Sequence, residues 1–176
     1  QELADLLPYT RVCMHYGLTE ASRSAFMEFH QDNAHLDSVG KASPNTDIKV
    51  LDENGEECGV NQEGEICVKG DHVTHGYLDL PIEESFFGDY FRTGDWGYKT
   101  AEGYIYLISR KKELINVGGK KVSPIEVEEQ LFKISGIADC ACIGVPDEEG
   151  VLGEVVKAFI VKNKDSDITF DDIKNQ

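Results

Sequence analysis

Positive charge is scarce in this chain. It has 17 Lys and Arg against 33 Asp and Glu, a formal charge of −16 over 176 residues. Nucleic acid and anionic membrane surfaces are polyanions, so a chain this acidic is not built to hold either as its main partner. Long apolar runs are missing as well, and none approaches the roughly 20 residues of a membrane span. The five cysteines, at 13, 58, 67, 140 and 142, are an odd set without regular spacing. That argues against a disulfide framework and for a reducing, cytoplasmic setting. The chain begins Gln-Glu-Leu, with no initiator Met, signal peptide or arginine-rich transit segment. What is present is 40% hydrophobic and 28% charged residues, a globular composition that excludes disorder and can bury a core without disulfide or metal staples.

The hydrophobic pattern changes character along the chain. Residues 1–7 read as the tail of a helix. From 23 to 110 the pattern is of short strands and turns, as in a barrel or sandwich. Strands are expected at 11–15, 24–29, 47–52 and 63–69, with Asn54-Gly55 marking a tight hairpin and 100–103 a second turn. After Arg110 come short strands at 114–117 and 121–123 around Gly118-Gly119. Ser123, Pro124 and Glu126 then spell a capping box at a helix start. Ile125, Val127, Leu131 and Ile134 give that helix one buried stripe, and Glu128-Glu129 its solvated face. Strands follow at 137–145 and 153–161, where Cys140 and Cys142 share one packed face. Thr169 caps a last, short helix with Asp171 and Asp172 in its first turn. Both ends look cut, which predicts a fragment with a domain boundary near 110–113.

Three segments carry candidate chemistry. In Tyr16-Gly17-Leu18-Thr19-Glu20 an aromatic ring can stack on a base, a hydroxyl can bond a phosphate oxygen, and a carboxylate can hold magnesium. In Arg92-Thr93-Gly94-Asp95 an Asp at a strand edge can accept two hydrogen bonds from a ribose diol. The third, Ser109 to Lys121, holds five of the 17 basic residues against one acid, Glu113; cations flanking glycines suit a phosphate-bearing ligand. Taken singly, the first two read more simply as polar turns, and the third has a solvated lysine face as its alternative. His30, Asp32, His35 and Asp37 can be drawn as a metal set, but their spacing matches no zinc pattern. His15 either packs in its strand or faces a ligand.

In this order and spacing the segments resemble the adenylate-forming superfamily of acyl-CoA synthetases, peptide-synthetase adenylation domains and luciferases, from about residue 9 to the end. Gly64 to Gly70 followed by Gly76-Tyr77 resembles its barrel motif, and Arg110 to Gly119 continuing into Pro124-Ile125-Glu126-Val127-Glu128 its hinge and thioesterification motif. Leu18 and the Asn116-Val117-Gly118-Gly119 run favour an acyl-CoA synthetase over a peptide-synthetase domain. The resemblance implies an α+β fold: residues 1–111 as the end of the large AMP-binding domain, a distorted antiparallel β-barrel; Lys112 as the hinge; and 113–176 as an incomplete α+β lid.

It also implies roles. Tyr16 stacks near adenine, with Gly17 beside it. Thr19 contacts the phosphates and Glu20 binds magnesium, as the catalytic pair. Asp95 holds the ribose with Arg110 nearby, Lys112 is the catalytic pivot, and Gly118 and Gly119 line the path for coenzyme A. Gly64, Gly76 and Gly94 are implied fold residues, and His15 lies beside the acyl pocket. The implied function is ATP-dependent, AMP-forming acid–CoA ligation in fatty- or aryl-acid metabolism. Its ligands are ATP or AMP, magnesium, a carboxylic acid and CoA, with a carrier protein as the alternative acceptor. The resemblance places a phosphate loop and a catalytic lysine outside this stretch, so the chain alone is expected to be inactive. A non-catalytic binding or structural module is the rival reading. Apolar patches at cut edges would favour a homodimer.

Overall fold

The computed structural model describes residues 2–169, 172 and 173. In chain order the elements are α1 (Glu2–Leu6), β1 (Cys13–Tyr16), β2 (Ala25–Glu28), β3 (Lys41–Ala42), β4 (Thr46–Leu51), β5 (Gly64–Gly70), α2 (Ile82–Ser85), β6 (Phe86–Phe87), β7 (Tyr90–Lys99) and β8 (Ile105–Arg110). They continue with β9 (Ile115–Val117), β10 (Lys120–Val122), α3 (Pro124–Phe132), β11 (Ile137–Pro146) and β12 (Glu154–Lys162). The fold is α+β, with antiparallel sheet predominant. Residues 1–107 and 108–176 form two compact units, the division falling inside β8.

In the first unit a three-stranded sheet, β1-β2-β3, accompanies a five-stranded one ordered β4-β5-β7-β6, with β8 on β7. Reciprocal backbone bonds from Val39 and Gly40 to Ile105 tie the segment before β3 to β8, as in a sheet curling toward a barrel. Burial alternates along most of β4, which leaves it one wet face, whereas residues 64–68 of β5 are all buried and so covered on both faces. Their side chains meet in a cluster of Ala21, Ala25, Ile48, Ile66, Val68, Phe91 and Ile105. The hairpin expected at Asn54-Gly55 is a wider loop. Asp52 N–H bonds Glu56 O, and the Asp52 carboxylate accepts N–H bonds from Asn54 at 2.8 Å and Glu56 at 2.9 Å. Three residues therefore make the turn, with the positive φ at Gly55 alone.

The second unit is built from two hairpins and a helix. Lys120 pairs with Val117, so Gly118 and Gly119 form a two-residue turn, with φ of 58° and 84°. That turn type needs positive φ at both central residues, which glycine supplies without strain. The Ser123 hydroxyl accepts the Glu126 N–H at 3.4 Å, and Pro124 occupies the first helical position. Two sequence readings of α3 are corrected. Ile125, placed in the buried stripe, is 43% exposed. Glu128, placed on the solvated face, turns inward and accepts the Cys142 N–H at 2.7 Å. Its carboxylate satisfies a β11 backbone donor, which no helical pattern predicts. Cys140 and Cys142 do face α3, Cys142 buried and Cys140 with its thiol 3.6 Å from Glu128 O. At the far end Thr169 and Asp172 exchange the bonds of a helix cap; Asp171 and the rest of that expected helix lie outside the described residues.

Candidate functional site

β1 ends at Tyr16, paired in register with Ala25 of β2. The following loop folds back tightly, with Leu18 and Ala21 exchanging both backbone bonds. Gly17 is required here, because a Cβ on it would meet Arg23 N at 2.5 Å and Ala21 O at 2.8 Å. The fold-back leaves Tyr16 half-buried and Thr19 exposed. Glu20 is anchored twice: its carbonyl accepts the Thr74 N–H at 2.7 Å, and its carboxylate accepts the Tyr77 hydroxyl at 2.7 Å. That hydrogen bond holds the Tyr77 phenol above its usual range. One edge of the Glu20 carboxylate thus serves the fold. A carboxylate has roughly four lone-pair sites, so the group retains capacity for a further ligand.

Asp95 lies inside the ten-residue β7, not at the strand edge expected from sequence. Gly94, at φ 73°, kinks the strand, and the pairing with β5 shifts register between Glu65 and Cys67. Thr93 braces the kink, its hydroxyl donating to Ile66 O at 2.7 Å and accepting the Asp95 N–H at 3.1 Å. The Asp95 carboxylate then accepts the Tyr16 hydroxyl at 2.5 Å. These residues are 79 apart in the chain, and the bond is in the short, charge-assisted range. Beside them Arg92 forms a two-donor ion pair with Glu65, at 3.2 and 3.0 Å, on a carboxylate side chain only 3% exposed. The pair neutralises a buried charge that would otherwise be costly.

The remaining sequence-predicted residues belong to the second unit. Arg110 ends β8, and Lys112 sits exposed in a single 3-10 turn, Lys111–Glu113. The Gly118-Gly119 turn is tied down on one side only. Gly118 N–H bonds Leu152 O at 2.8 Å, and the Glu154 carboxylate accepts the Asn116 N–H at 2.8 Å. Around Gly119 a Cβ would meet nothing within 4 Å, so this stretch of backbone can be approached closely. Next to Lys112 a cavity of about 390 Å³ is bordered by Glu128, Cys142, Gly144 and Glu154.

Sequence reading named Tyr77 and Glu128 without the contacts they make, and left Glu154 without mention and Thr93 without a role of its own; the partners of Tyr77, Glu128 and Glu154 are all remote in sequence. The metal set drawn from histidines and aspartates has other uses. Asp32 accepts the Tyr104 hydroxyl at 2.6 Å, His35 stacks on Tyr104 and reaches Tyr106, and His30 bonds Thr10 O. Among the described residues no group of three His, Cys, Asp or Glu is arranged to hold a metal, and no helix is long and apolar enough to cross a membrane. All five cysteines are free. His15 is exposed, 5.0 Å from the Phe26 ring and on the wall of a cavity, so the packed-histidine reading is set aside.

Comparison with known proteins agrees with this layout. The AMP-binding enzyme family matches residues 1–78, and the AMP-binding enzyme C-terminal domain family matches 126–176. The chain is 38% identical over 167 residues to 2-succinylbenzoate–CoA ligase of Enterococcus faecalis, covering 94% of this chain and 34% of the relative. It is 36% identical over 158 residues to long-chain-fatty-acid–CoA ligase of Salmonella typhimurium, covering 89% and 28%. Among solved structures it resembles ATP-bound MatB from Rhodopseudomonas palustris, with a TM-score of 0.81 and 32% identity, covering 92% of this chain and 32% of that one. The chain spans about a third of the length of the curated relatives it matches. The chain belongs to the AMP-binding enzyme family, with stretches of both its AMP-binding part and its C-terminal domain.

Proposed function

We propose that this chain supplies the nucleotide-holding and lid portions of an ATP-dependent acid–CoA ligase. The observation that carries this reading is the Tyr16–Asp95 contact at 2.5 Å. It sets an aromatic face and a carboxylate side by side, and the pair suits a base and a ribose diol. The names of the relatives, 2-succinylbenzoate–CoA ligase and long-chain-fatty-acid–CoA ligase, support the reaction class. The acids in those names differ too much to identify the one taken here.

In this reading the Tyr16 ring receives adenine and Asp95 accepts from the ribose hydroxyls. Thr19, exposed on the folded-back loop, donates to a phosphate oxygen. The Glu20 carboxylate, already oriented by Tyr77, fits magnesium, which takes oxygen ligands and is commonly held by one or two carboxylates and the substrate phosphates. Magnesium would supply charge neutralisation at those phosphates. The acid's carboxylate oxygen attacks the α-phosphorus, a new P–O bond forms, and the α–β bond breaks with release of pyrophosphate. The CoA thiolate then attacks the acyl carbonyl and AMP leaves with the carbonyl–oxygen bond electrons. Arg110 is assigned to the ribose, Lys112 is the pivot, and the open backbone at Gly119 admits the narrow pantetheine arm. A division at 1–111 and 113–176 about Lys112 belongs to the same proposal, as does the expectation that the 176-residue chain is inactive by itself.

The test is acid-dependent pyrophosphate–ATP exchange by the complete gene product. Asp95→Asn is expected to raise the KM for ATP roughly 10- to 100-fold, the loss of one hydrogen-bonded charge. Trp96, on the same strand as Asp95, reports by its fluorescence whether β7 is intact. An unchanged KM in a folded variant rejects the assignment.

A further inference from the structure

The first unit contains seven Lys and Arg, and six have partners. Arg11 pairs with Glu28, Lys49 with Glu57, Lys69 with Asp89 and Arg92 with Glu65. Lys41 lies 4.3 Å from the Tyr104 ring centroid, and Lys99 donates to Ile48 O at 2.8 Å. Arg23 is the exception. Its side chain is exposed and makes no hydrogen bond, ion pair or ring contact with any described residue. In a chain of net charge −16, an arginine left without a carboxylate is unusual, because acidic partners are abundant.

Its backbone is unusual too. Arg23 has φ 59°, and Asn45 across from it has φ 61°. Asparagine tolerates that region, whereas a long side chain enters it only where the surrounding fold imposes it. The packing of Gly17 against Arg23 N is that imposition. Both residues border one cavity of about 430 Å³, a volume that suits a small organic group. The same walls carry hydrogen-bonding groups from His15, Ser43 and His72. The one acid on them, Asp71, is exposed and forms no ion pair with Arg23. His15 immediately precedes Tyr16 on β1, and Arg23 closes the loop that presents Thr19. The cavity therefore opens beside the place where the acyl phosphate would form.

We propose that this cavity holds a second carboxylate at the far end of the acid, with Arg23 as its counter-ion. The substrate class is then a dicarboxylic acid, and Arg23 is its specificity residue. A planar guanidinium matches a carboxylate in two-point contact. The proposal rests on reading the Tyr16–Glu20 loop as the nucleotide site, since that reading places the reacting carboxyl near Thr19.

Two arms test it. In the first, malonate, succinate, glutarate and adipate, with propionate, butyrate and valerate as controls, are titrated into the 176-residue chain. The NMR resonance of the Arg23 Nε–H is followed. At least one dicarboxylate is expected to shift it saturably and the monocarboxylates are not; in Arg23→Gln and Arg23→Lys, which lack that resonance, the backbone amides of Ser22, Arg23 and Asn45 followed alongside it are expected to lose the dicarboxylate shift in the first and keep part of it in the second. No saturable shift, or equal shifts with both acid classes, overturns the proposal. In the second arm, pyrophosphate release by the complete gene product is measured with the same acids. Arg23→Gln is expected to raise the KM for the dicarboxylate about tenfold or more, with the KM for ATP as the internal reference. Activation of monocarboxylates that ignores Arg23→Gln removes the specificity role and leaves the nucleotide reading intact. Saturable dicarboxylate binding at Arg23 without any pyrophosphate release supports the anion site and removes the nucleotide reading instead.

Discussion

Residues 1–107 hold their shape by burial, and residues 108–176 largely by side-chain hydrogen bonds to backbone groups. Met27, Ile48, Ile66, Val68 and Ile105 in the first unit are at most 1% exposed. In the second unit only Ile115, Pro124, Ile137 and Cys142 are buried apolar side chains among the described residues, while Phe132, Phe159 and Val161 are each at least half exposed. What replaces burial there is a set of caps. Ser123 starts α3, and the Asp147 carboxylate accepts the Val151 and Leu152 N–H groups at 2.9 and 2.8 Å. Glu128 and Glu154 satisfy further backbone donors. Apolar burial scales with area removed from water, whereas each hydrogen bond nets only about 1 kcal/mol. The first unit is therefore the stable platform and the second the more easily opened one.

The largest expected effect tests the platform. Ile66→Ala empties a site in the middle of the core cluster and is expected to cost about 2–5 kcal/mol. Trp96 is the sole tryptophan and lies in the first unit, so urea unfolding followed by its fluorescence measures this loss. A loss no larger than that of a surface substitution would break the contrast between the units. Next comes Ser123→Ala in the second unit. Loss of the cap is expected to cost about 1 kcal/mol, read as faster amide exchange in 124–132 with no change in the Trp96 transition. A coupled shift of both would show that the units unfold together.

The smallest effect is a titration. All seven tyrosines are in the first unit, and Tyr104 is pushed up to about 12, first by its hydrogen bond to Asp32 and then by burial. A raised phenol value means that its contribution to stability is complete below pH 10 and is lost as pH rises through about 12. The Asp32 carboxyl is held below its usual range; burial opposes this, and the Tyr104 and Glu28 hydrogen bonds outweigh it. Its contribution is present above the ordinary carboxylate value and lost as pH falls below it. Ultraviolet titration should show Tyr104 ionising last, after Tyr77, Tyr90 and Tyr106, which are also raised, and Asp32→Asn should return it toward 10. The second unit offers the acid-side counterpart: the Asp147 carboxyl is lowered chiefly by the Leu152 N–H. Acid should thus weaken both units, whereas in alkali tyrosine ionisation loosens the first and ionisation of the Cys140 and Cys142 thiols, pushed up chiefly by burial, loosens the second.

Much of this molecule could be read from neighbouring residues. The Ser123-Pro124 start of α3, the Gly118-Gly119 turn and the two strands β11 and β12 were legible because caps, turns and alternation act over a few residues. Tyr16, Thr19, Glu20 and Asp95 were named as candidates for the same reason, since each stands in a short motif with its own chemistry. Glu128 was misread because its partner, the Cys142 N–H, is 14 residues away on another element. Ile125 was misread because a helical stripe says which side is apolar, not whether anything covers it.

The sequence by itself determined the elements between residues 110 and 162, the candidate chemistry and the family. Only the tertiary structure decided which groups meet. It joined Tyr16 to Asp95 across 79 residues, gave Glu20 to Tyr77 across 57, and left Arg23 without a described partner beside an open cavity. The physical reason is that local rules depend on backbone preferences a few residues long. Pairing, burial and strain depend on how distant strands come into register, and no short motif encodes that.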